Sequence, residues 1–440
     1  MRKLKFVLAT ALLGISMQAQ NTLTLSEAIN YALQNKNEAV KARLDVENSE
    51  YQIQEVRANA LPQINVDGGL TYNAILQETA MEFMGESMVI AMGRPWQSTA
   101  VVSLNQQLFN QAVFTGLKAA RTTREFYKIN AQLTEEQVIE KVASSYYEVY
   151  KTESQLKTID RTIENTTRVR DVIQSLFDNG LAKKIDLDRT QVALNNLKST
   201  RQQLINALEL QENALKYLIG MDINTPIELP ENTFEVTAHV FVDDAINIEN
   251  RTEIQMLEKQ SELLALNKKA TEAQGLPSLS LNATYGYLGI GDEFPWFQSY
   301  PGAYWSDFSA IGLNLRIPIF NGGVVRAKTR QAQVQIDKLE ADKRDVRLAL
   351  DLELSNAITQ LNNSLITLNT QNENVKLAKE VLENVENNYK VGLAPLTDLL
   401  DAETSYADAQ NNQTNALLDY KLAEIQLIKA KGELQTLTHE

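Results

Sequence analysis

The segment LSNAITQLNNSLITLNTQNENVKLAKEVLENVENNYKVG, residues 354–392, carries the clearest structural signal in this chain. Its apolar residues recur at intervals of seven, at Leu354, Leu361, Leu368, Val375, Leu382 and Tyr389. A seven-residue repeat keeps one apolar stripe of a helix against a partner helix, as in coiled coils. From about Val324 to Tyr389 the sequence has no proline or glycine, so we predict one very long helix.

An earlier stretch of the chain follows the same pattern. Between about Gln111 and Asp178 there is no proline and only one glycine, Gly116. A helix of roughly 65 residues at 1.5 Å per residue spans on the order of 100 Å. The positions 212 residues before the heptad are Val142, Val149, Leu156, Ile163, Arg170 and Phe177.

Both long helices end in the same short motif. Gly180-Leu181-Ala182 recurs 212 residues later as Gly392-Leu393-Ala394, and each motif is followed forty residues later by another glycine. Glycine ends helices because it adopts a positive φ without a Cβ clash. We therefore predict two helical hairpins, at about 111–219 and 321–436, which turn at these glycine–leucine motifs.

Two pairs of predicted β-strands precede the helical hairpins, at about 62–109 and 277–319. Each strand alternates apolar and polar residues for roughly ten residues, the length of a tilted transmembrane strand. The apolar positions are Ile64, Val66, Leu70 and Tyr72; Ala100, Val102, Leu104 and Leu108; Leu279, Leu281, Ala283, Tyr285 and Tyr287; and Ile311, Leu313, Leu315 and Ile317.

A soluble β-sandwich and a membrane β-barrel both produce this alternation. The tryptophans favour the barrel: all three, Trp96, Trp296 and Trp305, lie by hairpin ends, where an aromatic girdle meets the membrane interface. Four strands cannot close a barrel, since small barrels need about eight. Open strand edges cannot face lipid, so we expect several copies of the chain to share one barrel.

The composition excludes several classes of function. The 440 residues include no cysteine and two histidines, which rules out disulfides, thiolate sites and a cysteine-linked lipid anchor. The formal net charge of −14 disfavours nucleic acid as a partner. We predict that the chain is not an enzyme and that it holds no cofactor and no metal.

The first residues have the pattern of a cleaved signal peptide. Basic residues from Arg2 to Lys5 precede an apolar stretch that is too short to span a bilayer, and Ala19 offers a cleavage site. The predicted parts are a signal peptide at 1–19, a first structural repeat at 20–230 and a second structural repeat at 231–440.

Several short segments match one known family. They are Leu25-Ser26-Glu27-Ala28-Ile29, the Leu-Pro strand starts at Leu61 and Leu276, Phe320-Asn321-Gly322-Gly323, Tyr389-Lys390-Val391-Gly392-Leu393 and Asp398-Leu399-Leu400-Asp401-Ala402. In these segments the chain resembles the TolC-type outer-membrane efflux factors. The resemblance implies a homotrimer with a shared twelve-stranded β-barrel in the outer membrane of a Gram-negative bacterium. A periplasmic α-helical coiled-coil barrel would continue it, with an adaptor protein and an inner-membrane pump docked at the helical tips.

The resemblance also implies where the periplasmic entrance closes. Asp398 and Asp401 match two lumen-facing aspartates of the family, and a ring of such carboxylates favours cations. Compensation of the helix dipole is the alternative role for these acids. Tyr389 and Asp186 match residues of the family's closing links, but Ala394 stands where the family has the arginine that pairs with that aspartate.

Two further features of the sequence allow two explanations each. The resemblance assigns adaptor docking to Gly180, Leu181, Gly392 and Leu393, whereas helix capping with a packed leucine is the plainer explanation. Met81, Met84, Met88 and Met92 have the spacing of one face of a short helix. Thioethers suit Cu(I), and an adaptable apolar patch is the alternative.

Taken together, these features predict a passive exit duct that an inner-membrane pump recruits for multidrug efflux or type I secretion. A secreted coiled-coil scaffold or adhesin would explain the heptads but not the tryptophan-tipped strands. The sequence does not distinguish drugs, metal ions and polypeptides as substrates.

Overall fold

The computed structural model describes residues 22–83, 85–230, 248–296 and 299–439. The predicted signal peptide at 1–19, Met84 and the predicted start of the second repeat at 231 lie outside these ranges. Within them the chain forms two compact units. The helical unit contains the segments up to Lys41, from Gln132 to Arg251 and from Leu348 onward; the sheet unit contains Ala42–Ala131 and Thr252–Arg347.

The described residues form seven α-helices, six β-strands and two short 3₁₀ helices. The α-helices are α1 (Leu25–Asn35), α2 (Asn37–Ala58), α3 (Gln111–Asp178), α4 (Lys184–Ile219), α5 (Thr252–Ala273), α6 (Val324–Lys390) and α7 (Leu396–Lys431). The strands are β1 (Gln63–Tyr72), β2 (Gln77–Phe83), β3 (Glu86–Met92), β4 (Trp96–Phe109), β5 (Ser278–Gly291) and β6 (Ala303–Arg316). The 3₁₀ helices are Ile248–Asn250 and Leu434–Thr438. None of the described helices is long and apolar enough to cross a membrane.

Helix α1 begins with a capping box. The Thr24 hydroxyl accepts the backbone N–H of Glu27 at 3.2 Å, and the Glu27 carboxylate accepts the backbone N–H of Thr24 at 2.9 Å. Both donors are thereby satisfied at the helix start. On the same helix the Ser26 hydroxyl donates to the carbonyl of Thr438 at 2.9 Å, so α1 also holds the last 3₁₀ helix in place.

Two apolar clusters form the core of the helical unit. The larger one fully buries Ile29 of α1, Ile139 of α3 and Leu215 of α4. The smaller one lies between α6 and α7 around Leu361 and Tyr420. All predicted heptad positions of α3 and α6 are buried or half-buried, so the predicted packed seam is confirmed.

The larger sheet is antiparallel, in the order β1-β4-β5-β6. Its register brings the predicted apolar residues of the four strands into common rows. One such row is Ile64, Leu104, Ala283 and Ile311, and the adjacent row is Gln63, Asn105, Asn282 and Gly312. In the polar row the Asn105 amide donates to the Asn282 side-chain oxygen at 2.7 Å. The period-two alternation therefore separates an apolar face from a polar face, as predicted.

The two ends of this sheet differ: the long helices begin at one end, and aromatic residues lie at the other. At the helix end, the end of β4 pairs with the start of β5 through Phe109 and Leu279, and α3 begins two residues later. The end of β6, which precedes α6, lies at the same end, because Arg316 pairs with Ser278. We call the opposite end the aromatic end; Tyr72, Trp96, Gly291 and Ala303 lie there.

Strands β2 and β3 form a separate two-stranded ribbon where the methionine spacing predicted a short helix. Met81 pairs directly with Met88, and Met92 pairs with Gln77. The helix prediction was wrong because residues four apart share a face in a strand as well as in a helix. Val89 and Ile90 favour extended backbone, and Gly85 has the positive φ of 86° that suits a tight turn.

Candidate functional site

The two helical turns of the helical unit have the same geometry. Gly180 and Gly392 adopt φ values of 74° and 77°. The N–H of the following leucine, Leu181 or Leu393, donates to a carbonyl five residues back at 2.8 Å in both turns. This is the Schellman arrangement, in which glycine ends the helix and the next N–H satisfies a terminal carbonyl.

The leucines that follow these glycines lie in solvent. Leu181 is 76% exposed and Leu393 is 79% exposed, and Val391 and Ile185 beside them are also exposed. The explanation that each leucine packs against its own helix end therefore fails for the single chain. Each tip presents a small apolar surface that contributes nothing to the core of the helical unit.

Asp398 and Asp401 lie on the exposed side of the first turns of α7. Their spacing of three puts them on one helix face. Leu396 and Leu399 are buried on the opposite side and fix the orientation of the helix start. Both carboxylates are thus free to face a neighbouring copy or a lumen.

Tyr389 lies close enough to Asp186 for the charge of the carboxylate to act on the phenol. These are the two residues matched to the family's closing links. Tyr389 is half-buried at the end of α6, and Asp186 is half-buried in the first turn of α4. Burial and then the negative charge of Asp186 raise the pKa of the Tyr389 phenol. A tyrosine phenol is already protonated at neutral pH, and this shift extends that state to higher pH, so the hydroxyl can act as a hydrogen-bond donor.

A cavity of about 250 Å³ lies beside Tyr389. Its lining includes Arg168 of α3, Glu386 of α6, and Leu399 and Glu403 of α7. The cavity separates the end of α6 from α3 in the single chain.

Glu403 is a buried carboxyl that the sequence interpretation missed. It is 9% exposed, and its carboxylate accepts a hydrogen bond from the Thr166 hydroxyl on α3 at 3.2 Å. Burial raises the pKa of Glu403, the nearby charge of Glu386 raises it further, and Thr166 and Arg168 act in the opposite direction. The sequence contained a signal for this buried carboxyl. Glu403 follows Leu399 by four residues, so a carboxyl interrupts the apolar stripe of α7.

The three tryptophans lie at the aromatic end of the sheet. Trp96 contacts Tyr72 with ring centroids 4.8 Å apart and Phe294 at 5.4 Å, and Trp296 contacts Phe294 at 4.5 Å. Trp305 stacks on Tyr287 at 4.8 Å. Its ring also covers Gly289, where a Cβ would lie 2.4 Å from the indole. The structure therefore brings together the residues predicted for the aromatic girdle.

The apolar face of the sheet is open to solvent in the single chain. Val66 is 72% exposed and Ile311 is 82% exposed, and the other predicted apolar residues of β1 and β6 are exposed as well. The outer strands β1 and β6 have no further strand beside them in the described chain. Among the described residues, no group of three or more His, Asp or Glu could hold a metal ion.

Comparison with known proteins yields one family for most of the chain. The sequence pattern of the outer membrane efflux protein family matches residues 28–221 and 246–433. The chain is 25% identical to the outer membrane protein TolC of Vibrio cholerae over 99% of this chain and 96% of that protein. It is 24% identical to a probable efflux pump outer membrane protein, TtgC, of Pseudomonas putida over 88% and 78% of the two chains. It is 23% identical to the alkaline protease secretion protein AprF of Pseudomonas aeruginosa over 83% and 76%.

Solved structures of similar fold cover almost the whole chain. The outer membrane protein VceC of Vibrio cholerae superposes with a TM-score of 0.73 at 19% identity, over 93% of this chain and 96% of VceC. The CmeC outer membrane channel of Campylobacter jejuni gives a TM-score of 0.75 at 17% identity, over 93% and 85%. At these identities the superpositions establish the fold alone.

Proposed function

This chain belongs to the outer membrane efflux protein family, and we propose that it is the passive exit duct of a tripartite efflux or type I secretion system. The observation that carries the proposal is the exposed apolar face of the four-stranded sheet. In water, burying such a face yields about 25 cal/mol for each Å². In a lipid bilayer, the hydrocarbon core covers this face, so no further layer of protein is needed to bury it. The names of the relatives, which include both efflux and secretion proteins, support the outer membrane as the location.

The open outer strands support a homotrimer. Unpaired backbone N–H and C=O groups cannot face hydrocarbon, so β1 of one copy must pair with β6 of another. Three copies of a four-stranded sheet give twelve strands, above the roughly eight that a closed barrel needs. In such a barrel the polar row containing Asn105 and Asn282 lines the lumen.

The helical tips support a docking role for a periplasmic adaptor. The exposed leucines Leu181 and Leu393 stand on turns fixed by glycine caps, so they form a rigid apolar target. The adaptor in turn connects the duct to an inner-membrane pump. In this assembly the chain makes and breaks no bonds and needs neither cofactor nor metal, because the pump supplies the energy.

The entrance at the tips would close through Asp398, Asp401, Tyr389 and Asp186. Three copies place six carboxylates of Asp398 and Asp401 around a narrow throat, where they favour cations. Lys183 or Lys184 beside Asp186 would replace the missing arginine at Ala394. Both lysines are exposed at the start of α4, within the same turn as Asp186.

Outer-membrane fractionation followed by planar-bilayer recording tests the proposal. We expect the processed chain in the outer-membrane fraction, a trimer in mild detergent, and a small cation-selective conductance. A soluble secreted monomer without conductance would instead support the coiled-coil scaffold and would overturn the duct.

A further inference from the structure

Two stretches of the chain at the helix end of the sheet contain cations and no acids. No Asp or Glu occurs from Gln97 to Arg124 or from Phe308 to Ile336, although Glu55 and Glu272 lie near the same end in the last turns of α2 and α5. The chain as a whole carries a formal net charge of −14, so these two cationic stretches stand apart from its composition.

The cations of the first stretch lie on one face of α3. Phe114, Lys118 and Arg121 are spaced by four and three residues, which places them on one stripe. All three are exposed, whereas Thr122 is buried and its hydroxyl donates a hydrogen bond to the carboxylate of Glu262 on α5 at 3.2 Å. The stripe is open to solvent along a surface cleft that it shares with Lys259 and Glu262 of α5, and no carboxylate of the described chain forms a salt bridge with Lys118 or Arg121. Arg124 is excluded from it because Glu50 and Glu125 already pair with it.

The second stretch places three cations in the first two turns of α6. Arg326, Lys328 and Arg330 are all exposed, but only Arg326 and Arg330 share a helix face, since residues two apart do not. Within the described chain no carboxylate forms a salt bridge with any of them. Arg326 and Arg330 are four residues apart, a like-charge spacing that destabilises a helix. Cations also oppose the helix dipole at this end, so helix stability does not explain their presence.

An exposed aromatic pair marks the boundary between the sheet and the first cationic stripe. Phe109 ends β4, Phe114 lies in the second turn of α3, and their ring centroids are 6.4 Å apart. Phe114 is 57% exposed. From the sheet towards α3 the surface is first apolar, then aromatic and then cationic. Membrane proteins show the same order from the hydrocarbon core of a bilayer to its headgroup layer.

We propose that Lys118, Arg121, Arg326 and Arg330 form a cationic belt that binds the phosphate headgroups of anionic phospholipid in the leaflet at the helix end of the sheet. The proposal rests on the proposed function, which places the sheet in the outer membrane. It adds a lipid-binding surface with a defined chemistry. Lipid phosphates neutralise the belt and offset the repulsion between its like charges.

Lipid retention by the full-length purified protein tests the belt. The protein in mild detergent is titrated with phosphatidylglycerol, with zwitterionic phosphatidylcholine, or with inorganic phosphate, and bound lipid is counted by native mass spectrometry. The belt variant is K118Q/R121Q/R326Q/R330Q. The control is K198Q/K376Q/K379Q, which removes three exposed cations of α4 and α6 in the helical unit.

The wild type and the control are expected to prefer phosphatidylglycerol, and rising salt weakens that preference. The belt variant is expected to lose on the order of tenfold or more in apparent affinity, from the typical contribution of each basic residue at an anionic surface. A charge-keeping variant, K118R/R121K/R326K/R330K, should retain the preference. If the belt variant does not assemble, its α3 and α6 halves are measured separately.

Three results would overturn the belt. One is an unchanged phosphatidylglycerol preference in the belt variant. The second is equal competition by inorganic phosphate, which would indicate a free-anion site. The third is unchanged lipid binding together with a shift in ion selectivity, which would place the cations in the lumen. In each case a wild type that fractionates with the outer membrane and conducts leaves the proposed function intact, whereas a wild type that does neither contradicts both.

Discussion

The phenol of Tyr389 at the end of α6 has its pKa raised by burial and by the negative charge of Asp186 at the start of α4. These two residues come from different helical hairpins and are 203 positions apart in the sequence. Their proximity links the two turns of one chain at the proposed entrance. The link is electrostatic in the single chain, because the described structure gives no hydrogen bond between the two side chains.

Replacing Tyr389 by Phe tests this link. The ring keeps its place in the heptad seam, but the hydroxyl proton is lost, so we expect a larger conductance in planar bilayers. Tyr217→Phe is the matched control, because Tyr217 is an exposed tyrosine on α4 that lies under Lys36. An unchanged conductance in Tyr389→Phe would leave this tyrosine with a packing role only.

The double variant Asp398→Ala/Asp401→Ala tests the carboxylate throat. We expect block by a trivalent cation added from the periplasmic side to weaken on the order of tenfold or more, since no carboxylate ring remains to bind it. Asp408→Ala, which removes an exposed acid further along α7, should keep the block. Equal block in the double variant would place the constriction elsewhere.

Glu403 should make the stability of the protein depend on pH. Because its pKa is raised in the folded state, the folded protein binds this proton more tightly than the unfolded chain does. The contribution of Glu403 is therefore lost as pH rises through the folded-state pKa and regained on acidification. We expect Glu403→Gln to raise the Tm at pH 7.5 and to reduce the gain in Tm between pH 7.5 and pH 5.

The control for this effect is Glu380→Gln, an exposed acid on α6. It should leave both the Tm and its pH dependence nearly unchanged. A Tm that falls in Glu403→Gln at pH 7.5 would show that the ionised carboxyl stabilises the fold, contrary to the direction of its pKa shift.

Charged replacements at the tips test docking. Leu181→Asp and Leu393→Asp remove exposed apolar surface without touching the core, so we expect export to fall while the yield of trimer stays within about twofold, as surface substitutions usually change stability little. Leu181→Met and Leu393→Met preserve an apolar tip and should export normally. Loss of the trimer in the aspartate variants would assign these leucines to assembly instead.

Two glycine substitutions should have opposite effects on stability. Gly392 has a φ of 77°, where alanine is strained by about 1–2 kcal/mol. Gly116 lies inside α3, and a Cβ there would meet only Val56 at 3.7 Å, so alanine should stabilise by up to about 1 kcal/mol. Denaturant unfolding in detergent should therefore show Gly392→Ala less stable, and Gly116→Ala more stable, than the wild type.

The sequence predicted most of the regular structure because its signals were local and periodic. The absence of proline and glycine from Val324 to Tyr389 predicted the length of α6, and the heptad from Leu354 predicted its buried side. The alternation from Ile64 to Tyr72 predicted which face of β1 is apolar. The methionine ribbon was misjudged because a spacing of four suits a strand as well as a helix. Gly85, which has a φ of 86° between Met81 and Met88, was a turn signal that the sequence interpretation overlooked.

The electrostatic details of the site could not be predicted in the same way. Glu403 gains its partner Thr166 from a helix 237 residues away in sequence, so its raised pKa depends on tertiary packing. The proximity of Asp186 to Tyr389 is likewise a property of the folded chain. The resemblance to the family identified both residues of that pair, but no sequence pattern gave their distance.

The equal spacing of the two hairpin caps has a consequence for symmetry. Three chains with two similar hairpins each would surround the entrance with six nearly equivalent helix starts. A shift of 212 residues carries Asp398 onto Asp186 but carries Asp401 onto Arg189. The duplicated positions therefore hold two negative charges in one hairpin and a compensated pair in the other. A wall of pseudo-sixfold geometry thus has a charge pattern of only threefold symmetry, and neighbouring hairpins become electrostatically distinguishable.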